Sequence, residues 1–211
     1  MPLDETALRA AIADVLLRTA GLPTLDEVGR IMRRAEKGTR VVIVIDNSRY
    51  ARAEADNLKK LLERYEGVET RIVEKSSWGS ELPPPLISID GTLEGRIFFY
   101  GAPSDILKPI FLLAVAASAE AWRPGRCRGL GGVKGRARLY VVPGLPCAKT
   151  LYDALHILCC STAELEVVNV EGYYATGREI PVRRVPTFIS PSGRVHVGEP
   201  RDPEELAEWW G

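Results

Sequence analysis

The chain has 211 residues, with 28 basic and 28 acidic side chains and 45% hydrophobic residues. That length accommodates one or two domains, each able to bury a modest core, and the balanced charge singles out neither nucleic acid nor an anionic membrane as a partner. The longest apolar run, Ile110 to Ala117, is far short of the roughly 20 residues a membrane-crossing helix needs, and Asp4, Glu5 and Arg9 interrupt any secretory apolar segment, so a cytoplasmic location is expected.

Leu8, Ile12, Val15 and Leu16 recur at helical spacing, and Leu25, Val28, Ile31 and Met32 do so again after the Gly21-Leu22-Pro23 break, predicting two short helices. Val41 to Ile45 is an unbroken β-branched run bounded by Gly38 and Asp46-Asn47-Ser48, which reads as a buried central strand. A helix follows with Ala55, Leu58, Leu61, Leu62 and Tyr65 on its apolar face, Gly67 stops it, and Glu69 to Val73 alternates as the next strand. After a polar loop containing Trp78 comes the triple proline Pro83 to Pro85. Leu86 to Ile89 and Arg96 to Tyr100 then read as an antiparallel hairpin around Asp90-Gly91. Ser104 or Asp105 is positioned to cap the closing helix, with Pro109 near its first turn.

Trp122 to Arg136 is rich in glycine and arginine and reads as an exposed linker. The same order of elements then returns. Leu139 to Val142 is a strand, Thr150 to Cys160 a helix with Leu151, Ala154, Leu155 and Leu158 inward, and Leu165 to Val170 a strand. A hairpin around Phe188 and Val195 follows. Asp202-Pro203-Glu204-Glu205 combines an N-cap, a proline at the first helical position and a capping-box acid, ahead of Leu206 and an exposed Trp209-Trp210 pair.

The two halves also echo each other in wording. Pro84 to Gly91, followed by Gly101-Ala102-Pro103-Ser104-Asp105, recurs roughly a hundred residues later as Pro186 to Gly193 and Gly198-Glu199-Pro200-Arg201-Asp202. A domain-sized unit is therefore present twice. The expected organisation is residues 1–37 as helices packed on the first module, 38–122 as that module, 123–137 as the linker and 138–211 as the second module.

None of Cys127, Cys147, Cys159 and Cys160 is spaced as C-x-x-C, so neither a zinc ribbon nor a dithiol motif is written here, and no metal is expected. Cysteines in a cytosolic chain are commonest as buried, reduced, small hydrophobes. Cys159-Cys160 reads as helix packing rather than a strained vicinal disulfide. Cys127, among arginines, reads either as a reactive thiol or as the partner of another cysteine. His156 lies nine residues from Cys147, roughly 13 Å along a helix, too far for a Cys-His dyad. Gly129 to Gly135 lacks the G-K-[ST] ending of a phosphate loop and precedes a strand, so a linker is the better account.

A β-α-β, β-β-α module whose second half opens with Val185-Pro186-Thr187 and turns at Ser192-Gly193 resembles the thioredoxin and glutaredoxin fold. Two such modules in tandem resemble the archaeal protein disulfide oxidoreductases and the amino-terminal domain of the flavoprotein component of alkyl hydroperoxide reductase. The likeness covers about residue 38 to 211. It implies an α/β fold of two thioredoxin-like modules, each a mixed sheet flanked by helices, with an amino-terminal helical extension. It also implies that Pro186 is cis, leaving the peptide edge of Val185 free to pair with an extended substrate segment beside Thr187. A trans proline at a strand edge is the plainer alternative. In the first module Pro84 matches Pro186 through the repeat, and Pro83 fits the pattern equally well.

The chain departs from the family at the redox motif. A nucleophilic thiolate belongs at the amino end of the helix after the first strand, where free N–H groups and the helix dipole lower a thiol pKa. In the second module that window reads Gly144-Leu145-Pro146-Cys147-Ala148-Lys149-Thr150. Two registers are open. Counted from the preceding strand, Cys147 is the first motif cysteine and Thr150 stands at the second. Counted back from Leu165, Gly144 stands at the first and Cys147 at the second.

In the first register Cys147, with Lys149 favouring its thiolate, attacks a disulfide and resolves through an external thiol such as glutathione or coenzyme A. In the second only a buried resolving cysteine is left, and it is nearly inert. The first module, whose window falls near Arg52 to Ala55, has no sulfur at all. Two functions follow as expectations. One is a monothiol disulfide oxidoreductase acting on protein or peptide disulfides through Cys147 beside Pro186. The other is a redox-inactive binding module that holds a protein or peptide partner. A phosphate contact through the basic linker is the weakest expectation, since such a stretch is ordinarily just solvated.

Overall fold

A computed structural model describes residues 5–35 and 37–211 of the chain. Asp4, one of the amino-terminal charges named above, lies outside the described residues. Two helices come first, α1 (Glu5–Thr19) and α2 (Leu25–Met32), followed by β1 (Thr39–Ile45), α3 (Arg49–Leu62) and β2 (Val68–Glu74). The hairpin β3 (Leu86–Ile89) and β4 (Ile97–Tyr100) leads through a short 3-10 turn into α4 (Lys108–Ser118). The second half runs β5 (Arg136–Val141), α5 (Leu145–Cys160), β6 (Glu164–Asn169), α6 (Glu171–Thr176), β7 (Thr187–Ile189), β8 (Val195–Val197) and α7 (Pro203–Trp210).

The eight strands among the described residues form one sheet in the order β2-β1-β3-β4-β6-β5-β7-β8. Within each half the pairing is the same. β1 is parallel to β2 and antiparallel to β3, and β5 is parallel to β6 and antiparallel to β7, with an antiparallel hairpin closing each side. The halves therefore share a continuous sheet, joined where β4 runs parallel to β6, with Ile97 opposite Leu165. The β-branched run of β1 is central, with β2 and β3 on either side, and Val41, Ile43 and Ile45 are buried on one face while Val42 and Val44 on the other are half-buried.

Helix α4 explains the apolar run noted in the sequence. Every residue from Pro109 to Ser118 is buried, since α4 packs against α2, α5 and β1 and has no water-facing side. Gly91, at φ +112°, lets the β3–β4 turn press onto the end of this helix, where a Cβ would run into the Ser118 carbonyl. Arg96, from the same turn, donates to the carbonyls of Leu158, Ser161 and Ala163 and so caps the end of α5 from the other half of the chain.

Several expectations are corrected. Leu8, Ile12, Val15 and Leu16 are exposed, while Leu17 is buried and Ala13 and Ala20 pack against the core. Helix α1 carries Ala, Leu or Val on most sides, so its spacing does not select the inward stripe. Tyr65 is buried but lies in the turn beyond α3. Ser104 precedes the 3-10 turn without a side-chain cap, and its hydroxyl donates instead to Glu171 at 2.8 Å. Trp210 is buried and donates to the Gly135 carbonyl, while half-buried Trp209 stacks on His196, so the carboxy-terminal aromatic pair is not a free surface. Helix α6 is an element the spacing does not predict, being only a turn and a half with Tyr173 buried.

The linker is not a free tether. Cys127 is disulfide-bonded to Cys160 at the end of α5, and Leu130 is buried. Its arginines are partly engaged, Arg123 with Glu120 and Arg136 with Glu164 and Glu166.

Candidate functional site

The proline elements define the site's edges. The Val185–Pro186 and Pro84–Pro85 peptide bonds are cis. The repeat is therefore off by one in the first module, where Pro85, not Pro83 or Pro84, is the counterpart of Pro186. Two observations agree on this. Gly101 N–H donates to the Pro85 carbonyl as Gly198 N–H donates to that of Pro186, each at 2.9 Å. The strands begin at Leu86 and Thr187, and Ile87 and Phe188 are the buried second residues. Matching the letters instead would slip one register by a residue and turn the core face to the other side of the sheet.

The helix after β5 settles how the window is presented. Gly144 is the cap of α5, with extended backbone at φ −166°, Leu145 and Pro146 are the first two helical residues, and Cys147 is the third. Proline suits this turn because its missing N–H has no intrahelical acceptor there. The third position turns Cys147 into the core, where only 2% of its surface is exposed. Its Sγ accepts the Val142 N–H at 3.5 Å. Burial raises the thiol pKa above its ordinary value, that hydrogen bond opposes the rise, and Glu199 adds to it. The geometry is that of the second register, with glycine at the half-buried cap and the sulfur beneath it.

Lys149 does not turn toward this sulfur. Its ammonium donates to Asp153 Oδ2 at 3.0 Å and to the carbonyls of Pro200 and Arg201 at 3.0 and 3.1 Å, tying the start of α7 to α5. Thr150 is fully buried and donates to the Pro146 carbonyl. Neither is free to assist a nucleophile.

Thr187 is also buried and donates to the Arg184 carbonyl at 2.6 Å, which pins the approach to Pro186. β5 and β7 pair Tyr140 with Thr187, so continuing the ladder sets Pro186 opposite Val141, one residue from the Val142 amide that holds Cys147. The cysteine and the proline are thus at the same end of the second half. In the first half the equivalent cap is Ser48, which accepts the Ala51 N–H at 3.2 Å, so the window is Ser48 to Ala51 rather than Arg52 to Ala55. It contains no sulfur.

The remaining cysteines lie at the opposite end of α5. Cys127 and Cys160 are paired, and Cys159 is a free thiol whose pKa burial pushes up to about 11, against the opposing pull of Arg96 and Arg123. His156 packs among Tyr152 and Trp122, and burial lowers its pKa. It forms no dyad. Among the described residues no group of three His, Cys, Asp or Glu side chains is placed to hold a metal, and no helix is long and apolar enough to cross a membrane.

The sequence pattern does not single out one further feature. A groove of about 410 Å³ runs between the segment Pro181–Arg184 and the face of β7 and β8 that carries Thr187, Ile189, Val195 and Val197. Short strands with valine give no signal that distinguishes an open edge from a covered one.

No family model and no curated protein matches the chain. Solved structures do. The alkylhydroperoxide reductase AhpF from Enterococcus faecalis, in a mutant form, matches with a TM-score of 0.71 at 13% identity, covering 88% of this chain and 96% of that one. The NTD_N/C domain of the same protein matches with a TM-score of 0.70 at 15% identity, covering 88% and 97%. A protein disulfide oxidoreductase from Aeropyrum pernix matches with a TM-score of 0.56 at 14% identity, covering 87% and 89%. The fold is accordingly the tandem thioredoxin-like one, and at these identities the likeness extends to the fold alone.

Proposed function

We propose that the chain is a redox-inactive thioredoxin-fold module that holds a protein or peptide partner. The observation that carries this reading is the placement of sulfur in the second half. Glycine occupies the half-buried cap of α5, and Cys147, beneath it, is 2% exposed with a raised pKa. A disulfide exchange catalyst needs an accessible thiolate at that cap. What the fold retains is a backbone cradle at Val185, Pro186 and Thr187, next to the groove along β7 and β8. No resident cofactor enters this reading.

The competing reading is a monothiol oxidoreductase using Cys147 with glutathione or coenzyme A as the resolving thiol. Its support is the Val142 N–H on Sγ, a donor that favours the thiolate. Native-state thiol mapping with an insulin or glutathione-disulfide exchange assay separates the two. The binding reading expects an unlabelled Cys147 and no exchange, and exchange that disappears in Cys147→Ser overturns it. We place the protein in the cytoplasm, in a cell whose interior tolerates the Cys127–Cys160 bond, as intracellular proteins of hyperthermophiles do.

A further inference from the structure

The outer edge of the sheet offers a more specific partner than the fold does. In an antiparallel ladder alternate residues exchange their backbone hydrogen bonds with the neighbour, and those between turn theirs outward. Phe188 stands opposite His196. On either side of that pair, Ser190 N–H donates to the Arg194 carbonyl and Gly198 N–H to the Pro186 carbonyl, each at 2.9 Å. By this parity His196 is bonded to β7, and the N–H and C=O groups of Val195 and Val197 face away from it. β8 is the last strand of the sheet, so these groups face an open edge.

The side chains at the same two positions are also uncovered. Val195 is 61% and Val197 53% exposed, and both line the groove with Ile189 and Val182. Exposed backbone groups beside an apolar floor are the two components of strand addition, in which main-chain hydrogen bonds give affinity and alternate side chains give selectivity.

Charge selects the occupant. Arg183 and Arg184 form the wall of the groove, both are exposed, and neither has a described carboxylate within ion-pair distance. Arg194, also exposed, stands at the start of β8, its guanidinium on the Ser192 hydroxyl at 3.3 Å. Among the described residues no acidic side chain lines the groove. An apolar floor ringed by arginines that hold no carboxylate complements a strand with apolar residues two apart and acidic residues around them.

We propose that β8 is a docking edge that takes an extended, acidic segment of a partner protein as an added strand, its apolar side chains beside Val195 and Val197 and its carboxylates on Arg183, Arg184 and Arg194. The proposal rests on the binding-module reading and names the partner's chemistry and its location.

The test uses two synthetic peptides, each with two valines two residues apart, one flanked by glutamates and the other by lysines. Binding to the full chain is followed by amide NMR shifts and titration. The expected result is that the glutamate peptide shifts residues 182–197 and binds at least ~10-fold tighter than the lysine peptide, with affinity falling as salt is added. Arg183→Glu with Arg184→Glu removes that preference. Val197→Pro weakens binding because it deletes an outward N–H without touching the β7 ladder. Should the proline variant fail to fold, the arginine pair, on an exposed segment, decides alone.

Equal binding of the two peptides, or no binding of the glutamate peptide, overturns the proposal. So does self-association that Val197→Pro abolishes, which would make the occupant a second copy of this chain. Shifts confined to Leu145 and Val185 overturn this location and leave the binding-module reading standing. Disulfide exchange through Cys147 overturns that reading whatever the peptides do.

Discussion

Val142 holds Cys147 from behind, donating its backbone N–H to the sulfur at 3.5 Å, while the helix that begins at Leu145 carries that sulfur beneath its own first turn. The thiol is close to the helix N-terminus yet out of reach of water. Proximity to the helix dipole favours a thiolate by about 0.3–1 kcal/mol in exposed settings, whereas burial without a counter-charge costs more. The net shift is upward.

Cys147 is therefore expected to resist alkylation in the native protein. Iodoacetamide labelling followed by mass mapping should proceed at least ~100-fold more slowly than in the denatured chain, since the reactive form requires both deprotonation and opening. Labelling at the rate of a free peptide thiol would show that the buried placement is wrong.

Gly144→Cys is expected to restore a dithiol. Gly144 has an extended backbone that any residue adopts, and nothing lies within 4 Å of where its Cβ would be. A cysteine there is three residues from Cys147 and at the helix cap, where its pKa should fall below the ordinary thiol value. The variant should form an internal disulfide and, with dithiothreitol returning it to the dithiol, reduce insulin measurably above the wild-type background. A folded variant with no such activity would mean that the second half has lost more than its cap cysteine.

Lys149→Met should destabilise the protein by about 1–3 kcal/mol, because it leaves the buried Asp153 carboxyl without its donor and frees the Pro200 and Arg201 carbonyls. Burial already raises the Asp153 pKa, with Lys149 opposing the rise, so the variant's Asp153 should titrate higher still. Urea denaturation and carboxyl NMR titration read the two effects separately. Loss of thiol reactivity without loss of stability would point instead to a role beside Cys147.

The Cys127–Cys160 bond closes a loop with a sequence separation of 33 residues. Cross-linking a loop of that size limits the unfolded chain by up to about 4 kcal/mol. Cys127→Ser is expected to lower the melting temperature markedly and to expose the amides around Leu130 to hydrogen exchange. A melting temperature indifferent to reductant would show that the linker is held by packing alone.

Alkaline stability carries the mark of Cys159. Its folded pKa, about 11, lies above the ordinary 9.0, so the folded chain prefers the neutral thiol. That preference is fully present below about pH 9 and is lost as pH rises towards about 11. Tyr50, raised to about 12 by burial, acts in the same direction at higher pH. Stability from denaturant midpoints should fall across this window, and Cys159→Ala should flatten the fall between pH 9 and 11. An unchanged slope would show that Cys159 titrates normally.

Much of the architecture is legible along the chain because its signals are local. The β-branched run of β1, the hairpin turn at Gly91 and the Asp202 cap, which accepts the Glu205 N–H at 2.8 Å, each follow from propensity and spacing within a few residues. The cap departs from its motif in one respect, since the Glu205 carboxylate accepts from Arg201 rather than from the cap residue. The site is legible only as a window. Residue order places Cys147 near a helix start, but whether it or Gly144 holds the cap depends on where α5 begins, and a proline at the second helical residue allows either.

By itself the amino-acid sequence determined that one unit is present twice, that the first copy has no sulfur in its window, and that prolines stand before two of the hairpins. These are properties of residue identity and of periods two and 3.6, which every neighbour shares. Tertiary structure alone decided that Cys147 is buried, that Cys127 meets Cys160, that Pro85 rather than Pro84 answers to Pro186, and that the valines of β8 stay uncovered. Each of these depends on which distant element comes to lie alongside, a matter of packing across the sheet rather than of any order along the chain.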